Sequence, residues 1–185
     1  MAPLLFLPGL GGSGPRHWQS QWRAELGGAV IAVSDWERPI LRSWLRAADE
    51  ALAATNGRPI LVAHSLGCLL AAHWLGTRRS QGLIAGAFLA AVPDPAAASF
   101  PDQVSADFAR IPGSRLPCPS IVIASTDDPF GSVAFSVAVA QRWASRLVDV
   151  GRAGHLNMAS GHGPWPEGRI LLHDFNMEVS SRQTS

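Results

Sequence analysis

Lysine and tyrosine are absent from this sequence, and cysteine is scarce. The 15 basic residues are all arginine, and Cys68 and Cys118 are the only thiols among 185 residues. Two cysteines cannot make the multi-bridge framework of a small secreted domain, and sequence alone does not say whether they pair. Cys68 falls in an apolar stretch, where cysteine behaves as a small inert hydrophobe. The missing lysine and tyrosine read as coding bias, not mechanism. Excess charge is lacking too: 15 arginines against 14 acidic residues leave a net charge of +1, with no field to recruit nucleic acid or an anionic membrane. No apolar run approaches the roughly 20 residues that cross a bilayer. The opening stretch Leu4 to Leu7 is too short for a secretory signal core and lacks a basic flank before it. These absences predict a cytoplasmic protein with no nucleic-acid or membrane partner. They leave its oligomeric state open.

What is present is apolar and alternating. Hydrophobic residues make up 47% of the chain, enough for one substantial core. Short apolar runs at Pro3–Leu7, Ala29–Val33, Pro59–Ala63, Leu83–Val92, Ser120–Ala124 and Arg146–Val150 read as strands. Between them lie helical stretches: Pro15 to about Leu26, a segment from Pro39 with Leu41, Trp44, Leu45, Ala48 and Leu52 on one stripe, Cys68–Leu75, and Val133–Trp143. Pro93 to about Pro117 is Pro-, Ala- and Asp-rich and reads as an irregular connection over the sheet edge. A loop from Gly151 to Glu167 leads into a last helix ending near Met177. Strands alternating with helices predict an α/β fold: a mostly parallel sheet of about six strands with helices on both faces. One domain over residues 1–179, with a frayed tail over 180–185, accommodates all of this.

In such sheets chemistry gathers beyond the carboxyl ends of the strands. Three polar positions stand there. Ser65 follows the third strand, Asp127 and Asp128 follow the fifth, and His155 follows the sixth. A serine hydroxyl is a weak nucleophile until an imidazole takes its proton. A carboxylate on the other ring nitrogen then fixes the tautomer. The chain order Ser, Asp, His is that of the α/β-hydrolase triad. Ala63-His64-Ser65-Leu66-Gly67 approximates G-x-S-x-G, with alanine at the first position, and lies between an apolar strand and a helix. That turn would expose the serine Oγ and aim the Leu66 N–H at a developing oxyanion. The bland reading of Ser65 is a helix N-cap, and that of His155 a solvated loop histidine. His64 would alternate to the far side of the turn and pack. Of the two adjacent aspartates only one can meet the histidine. Asp128, made extended by Pro129, is the choice over Asp127, which could cap the next helix.

A rival resides in the first loop. Gly9, Gly11 and Gly14 spell G-x-G-x-x-G after a strand, with Asp35 about 20 residues on, as a nicotinamide-dinucleotide site requires. Pro8 and Pro15 oppose it, since a pyrophosphate needs helix N–H groups that proline lacks. In a hydrolase the same loop would supply a second oxyanion donor near Leu10. A third reading is a protein-binding module with a vestigial triad.

Across nearly the whole length the sequence resembles the small serine hydrolases of the retinoblastoma-binding protein 9 and YdeN-like family, its bacterial members in particular. The resemblance is carried by Leu7-Pro8-Gly9 with His17-Trp18-Gln19 and Trp22, and by Asp35-Trp36 with Pro39 and Trp44. It continues through Val62 to Cys68, Asp128-Pro129-Phe130, Gly154 to Asn157, and Gly161 to Gly168. It implies a compact α/β-hydrolase core without a large cap domain, and a triad of Ser65, Asp128 and His155. With it come the expectations of a cofactor-free, metal-free esterase and a small acyl substrate. His17, Trp18, Trp36 and Trp165, near the strand ends, are candidates for the wall of an acyl pocket. For each tryptophan the plainer role is a core plug.

Overall fold

The computed structural model describes residues 1–77 and 82–182. Its six strands are β1 (Leu4–Leu7), β2 (Ala29–Val30), β3 (Ile60–His64), β4 (Gly86–Ala90), β5 (Ser120–Ala124) and β6 (Arg146–Asp149). They lie in the order β2-β1-β3-β4-β5-β6, and every neighbouring pair is parallel. The helices are α1 (Trp18–Leu26), α2 (Leu41–Ala53), α3 (Leu66–Leu75), α4 (Val133–Trp143) and α5 (Pro166–Ser181). Among the described residues no helix is long and apolar enough to cross a membrane.

Strand periodicity sorts the core into two layers. Leu5 and Leu7 of β1, with Leu61 and Ala63 of β3, face Trp44 of α2, Leu69 and Trp74 of α3 and Trp143 of α4. Their neighbours Leu4, Phe6, Ile60 and Val62 point to the other side, against Trp18 and Trp22 of α1 and Phe175 of α5. Each such large apolar side chain removed from water contributes about 1.5–3 kcal/mol before entropy is counted. Helix α3 is buried on nearly all sides, between the sheet and α2, so its sequence LGCLLAAHWL shows almost no polar face.

The strand order has a functional consequence. The chain leaves β1 for the edge strand β2 and then crosses back to β3 on the other side of β1. The loops after β1 and β3 therefore emerge side by side, at the point where the direction of winding reverses.

Several elements differ in extent from their sequence reading. Strand β2 keeps only two residues, because its sole partner β1 leaves the sheet at Pro8. Strand β4 ends at Ala90, since Ala91 takes a positive φ of 56°. Pro15 does not open α1; a turn intervenes, and His17 caps the helix by accepting the Gln19 N–H. Helix α5 starts at Pro166, a position that suits proline, and runs past Met177 to Ser181 because Val179 still packs on Gly86. Ser180 and Ser181, expected in a frayed tail, thus belong to the helix, and residues 183–185 of that tail lie outside the described residues. The 93–117 connection is irregular, apart from a short 3-10 turn, Ala106–Ala109, that sinks Phe108 into the core.

Candidate active site

At the end of β3 the chain must turn into α3 without a spacer. Ser65 makes that turn alone, at φ 53° and ψ −126°, a backbone costly for any residue with a Cβ. It stands at the N-cap position, yet its side chain caps nothing. Its Oγ instead lies 2.8 Å from His155 Nε2. The turn is held by close packing. A Cβ on Gly67 would fall 2.0 Å from the Leu7 carbonyl oxygen, and one on Gly9 would fall 2.8 Å from Ser65 Cβ. The first glycine of the β1 loop is thus a spacer against the serine, a contact the sequence reading did not identify. The two parallel strands put it there.

His155 Nδ1 is 2.9 Å from each carboxylate oxygen of Asp128. Both side chains are buried, at 8% and 3% exposure, so little water competes for this pair. Asp128 Oδ1 also accepts the Phe130 N–H at 2.9 Å, and the Phe130 ring lies 4.6 Å from the imidazole. Asp127 takes no part in this line. Its Oδ1 accepts the Gly154 N–H at 2.8 Å and the Ser125 hydroxyl at 2.9 Å, and its other oxygen faces Arg152. Those bonds, the Gly154 N–H foremost, hold its carboxyl below the usual range.

The loop that carries His155 is gripped on four successive residues. Ser125 Oγ accepts the Ala153 N–H and Asp127 accepts that of Gly154. His64 Nε2 donates to the His155 carbonyl at 2.9 Å, and Trp18 Nε1 donates to the Leu156 carbonyl at 2.8 Å. The grip stabilises positive φ at both Gly154 and Leu156. His64, expected only to pack on the far side of the turn, packs and also anchors the His155 backbone.

Ser65, His155, Leu10 and Leu66 line one cleft of about 430 Å³. The Leu66 N–H is at the first position of α3, where no intrahelical acceptor exists. The Leu10 N–H sits in a turn closed by the Gly12 N–H donating to the Gly9 carbonyl. Among the described residues no charged side chain lines the cleft; its walls are chiefly Leu10, Phe100, Val104, Phe130 and Met158. Phe100 and Val104 come from the 93–117 connection. The spacing Phe100, Val104, Phe108 within a polar stretch was the signal for them.

Of the residues expected to wall a pocket, only His17 lines this cleft. Trp18 and Trp165 are core residues, at 0% and 2% exposure, packed on each other and on Trp22. Trp36 backs the glycine loop, with its ring over Gly12 and against Trp44. Large rings next to strand ends fill the space beneath the loops here, rather than facing solvent above them. Burial, with repulsion from His155 second, lowers the pKa of His17 to about 4 and drives that of His64 well below its ordinary value, with His17 adding further repulsion on His64. Among the described residues no group of three His, Cys, Asp or Glu side chains is placed to hold a metal ion.

The profile of the serine hydrolase family matches residues 4–174. The chain therefore belongs to the serine hydrolases. It is similar to a YdeN-like hydrolase from Pectobacterium atrosepticum, at 34% identity and a TM-score of 0.84, over 97% of this chain and 92% of that one. The ydeN gene product of B. subtilis superposes with a TM-score of 0.78 at 20% identity, over 96% and 100% of the two chains. A thermophilic esterase from Thermogutta terrifontis shares the fold at 15% identity, with a TM-score of 0.67 over 97% and 90%. No curated protein matches the chain. This membership overturns the dinucleotide reading of Gly9, Gly11 and Gly14, and the geometry says why the pattern misleads. Gly9 packs on the serine, a turn separates Gly14 from α1, and Asp35 spends its carboxylate on the Glu37 and Arg38 N–H groups.

Proposed function

We propose that the chain is a cofactor-free carboxyl-ester hydrolase working through an acyl-enzyme on Ser65. One observation carries this reading: hydroxyl, imidazole and carboxylate form an unbroken hydrogen-bonded line at the floor of an apolar cleft. As Ser65 Oγ attacks the ester carbonyl, His155 Nε2 takes its proton, and Asp128 stabilises the imidazolium at Nδ1. The negative oxygen that forms is met by the Leu10 and Leu66 N–H groups. Collapse expels the alcohol, which leaves with the proton from His155. Water then repeats the sequence on the acyl-serine, releasing the acid and restoring the hydroxyl.

The uncharged walls favour small, largely apolar acyl groups. Cys68 and Cys118 are free thiols, which suits a reducing compartment, so the reading extends to a cytoplasmic enzyme built from one α/β-hydrolase domain that includes the whole of α5. A short-chain nitrophenyl ester tests it. Turnover should fall about 10⁴-fold or more in Ser65→Ala and in His155→Ala. Turnover that survives either substitution would remove the proposed nucleophile or base.

A further inference from the structure

Two imidazoles beside the nucleophile take no part in the acyl transfer. His17 and His64 stand with ring centroids 4.9 Å apart, and His64 lies 5.1 Å from His155. Their partners dictate their tautomers. The Gln19 N–H donates to His17 Nδ1 at 3.2 Å, so that nitrogen presents a lone pair and the ring proton sits on Nε2. His64 Nε2 faces the His155 carbonyl at 2.9 Å. A carbonyl only accepts, so Nε2 holds the proton and Nδ1 the lone pair. Burial keeps both rings uncharged, with repulsion from His155 adding to it.

One N–H and one lone pair are left over. Among the described residues no hydrogen bond engages His17 Nε2 or His64 Nδ1, and neither atom is sealed from solvent. Both residues line the cleft that holds Ser65. A donor and an acceptor on rings whose centroids are 4.9 Å apart complement a group that both accepts and donates. A carboxylate or phosphate would oppose the lone pair of His64, in a cleft where no described residue supplies a cation to offset it. An ammonium would oppose the N–H of His17. An ether or a second carbonyl would satisfy one atom and strand the other.

We propose that His17 and His64 form a hydroxyl-reading subsite beside Ser65, so that the substrates are uncharged esters carrying a free hydroxyl, either on the acyl chain or on the alcohol. The assignment rests on the ester-hydrolase reading above and names its substrate class.

Two matched pairs of esters test it on the full chain. Phenyl 3-hydroxybutyrate against phenyl butyrate places the hydroxyl on the acyl side; glycerol 1-butyrate against propyl butyrate places it on the alcohol side. In at least one pair the hydroxylated ester should have a kcat/KM about tenfold higher. His17→Asn keeps an acceptor for the Gln19 N–H but withdraws the donor from the cleft, and should bring that ratio to about one. His17→Gln, which reaches as far as Nε2 with an N–H, should retain part of it. Equal turnover within both pairs overturns the subsite while leaving the hydrolase intact. A ratio unchanged in His17→Asn overturns the role of His17. No ester turnover at all, with no labelling of Ser65 by a fluorophosphonate, defeats the ester-hydrolase reading itself.

Discussion

Two adjacent carboxylates divide the work around His155, and their geometry separates what each should cost. Asp128 meets the ring directly with both oxygens, while Asp127 holds the backbone one residue before it. Asp128→Asn would present an amide donor to Nδ1 and favour the wrong tautomer, so kcat should fall about 10⁴-fold. Asp127→Asn keeps an acceptor for the Gly154 N–H and should cost about tenfold or less. Steady-state kinetics on the two variants check this, and the reverse order would exchange their roles. At this scale the sequence was legible where local backbone rules apply. Pro129 biases Asp128 toward an extended backbone, and the strand-to-helix context marks Ser65. It was not legible for Trp18 or Trp165, because position near a strand end does not say whether a ring points above the sheet or below it.

The turn after β3 works as a unit with the β1 loop, and its glycines differ in what they tolerate. Ala63 already fills the first position of the pentapeptide and is fully buried in β3. Gly67 has no such room, since an added Cβ would meet a main-chain carbonyl. Gly67→Ala should therefore lose much of the folded population, visible as a lowered thermal midpoint. Gly9→Ala meets the Cβ of the serine itself and should fold while lowering kcat by about 10- to 100-fold, through displacement of Oγ. A Gly9→Ala variant with wild-type kcat would show that the contact yields without moving Ser65 Oγ. Element boundaries were readable at β5, whose apolar run matches the strand, and where capping is local, as at Ser132 of α4. They were overlong at β2 and β4, whose ends are set by the neighbouring strand and by a positive φ that no periodicity encodes.

The folded molecule binds fewer protons than the unfolded chain at mildly acid pH, because His17 and His64 are buried uncharged. A histidine whose folded pKa lies below its unfolded value loses stability as pH falls through the unfolded value. For His17 the window runs from about 6.5 down to about 4. Its share is on the order of 3 kcal/mol across that range, with His64 acting in the same direction. Urea unfolding at pH 7 and pH 4 tests this. Relative to wild type, His17→Asn should gain stability at the lower pH, and an identical pH slope in the two proteins would deny that burial holds the ring neutral. The layered parallel sheet was legible as a whole from alternation alone. The grip on the 153–156 loop was not, since its donors and acceptors come from β3, α1 and the turn after β5.

Labelling of the folded protein by a fluorophosphonate, read out by peptide mass, bears most directly on the claim that Ser65 is an activated nucleophile. One adduct on Ser65, absent from Ser65→Ala and much slower to form in His155→Ala, is the predicted result. An adduct on another residue, or ester turnover that persists with Ser65 unmodified, would contradict the account.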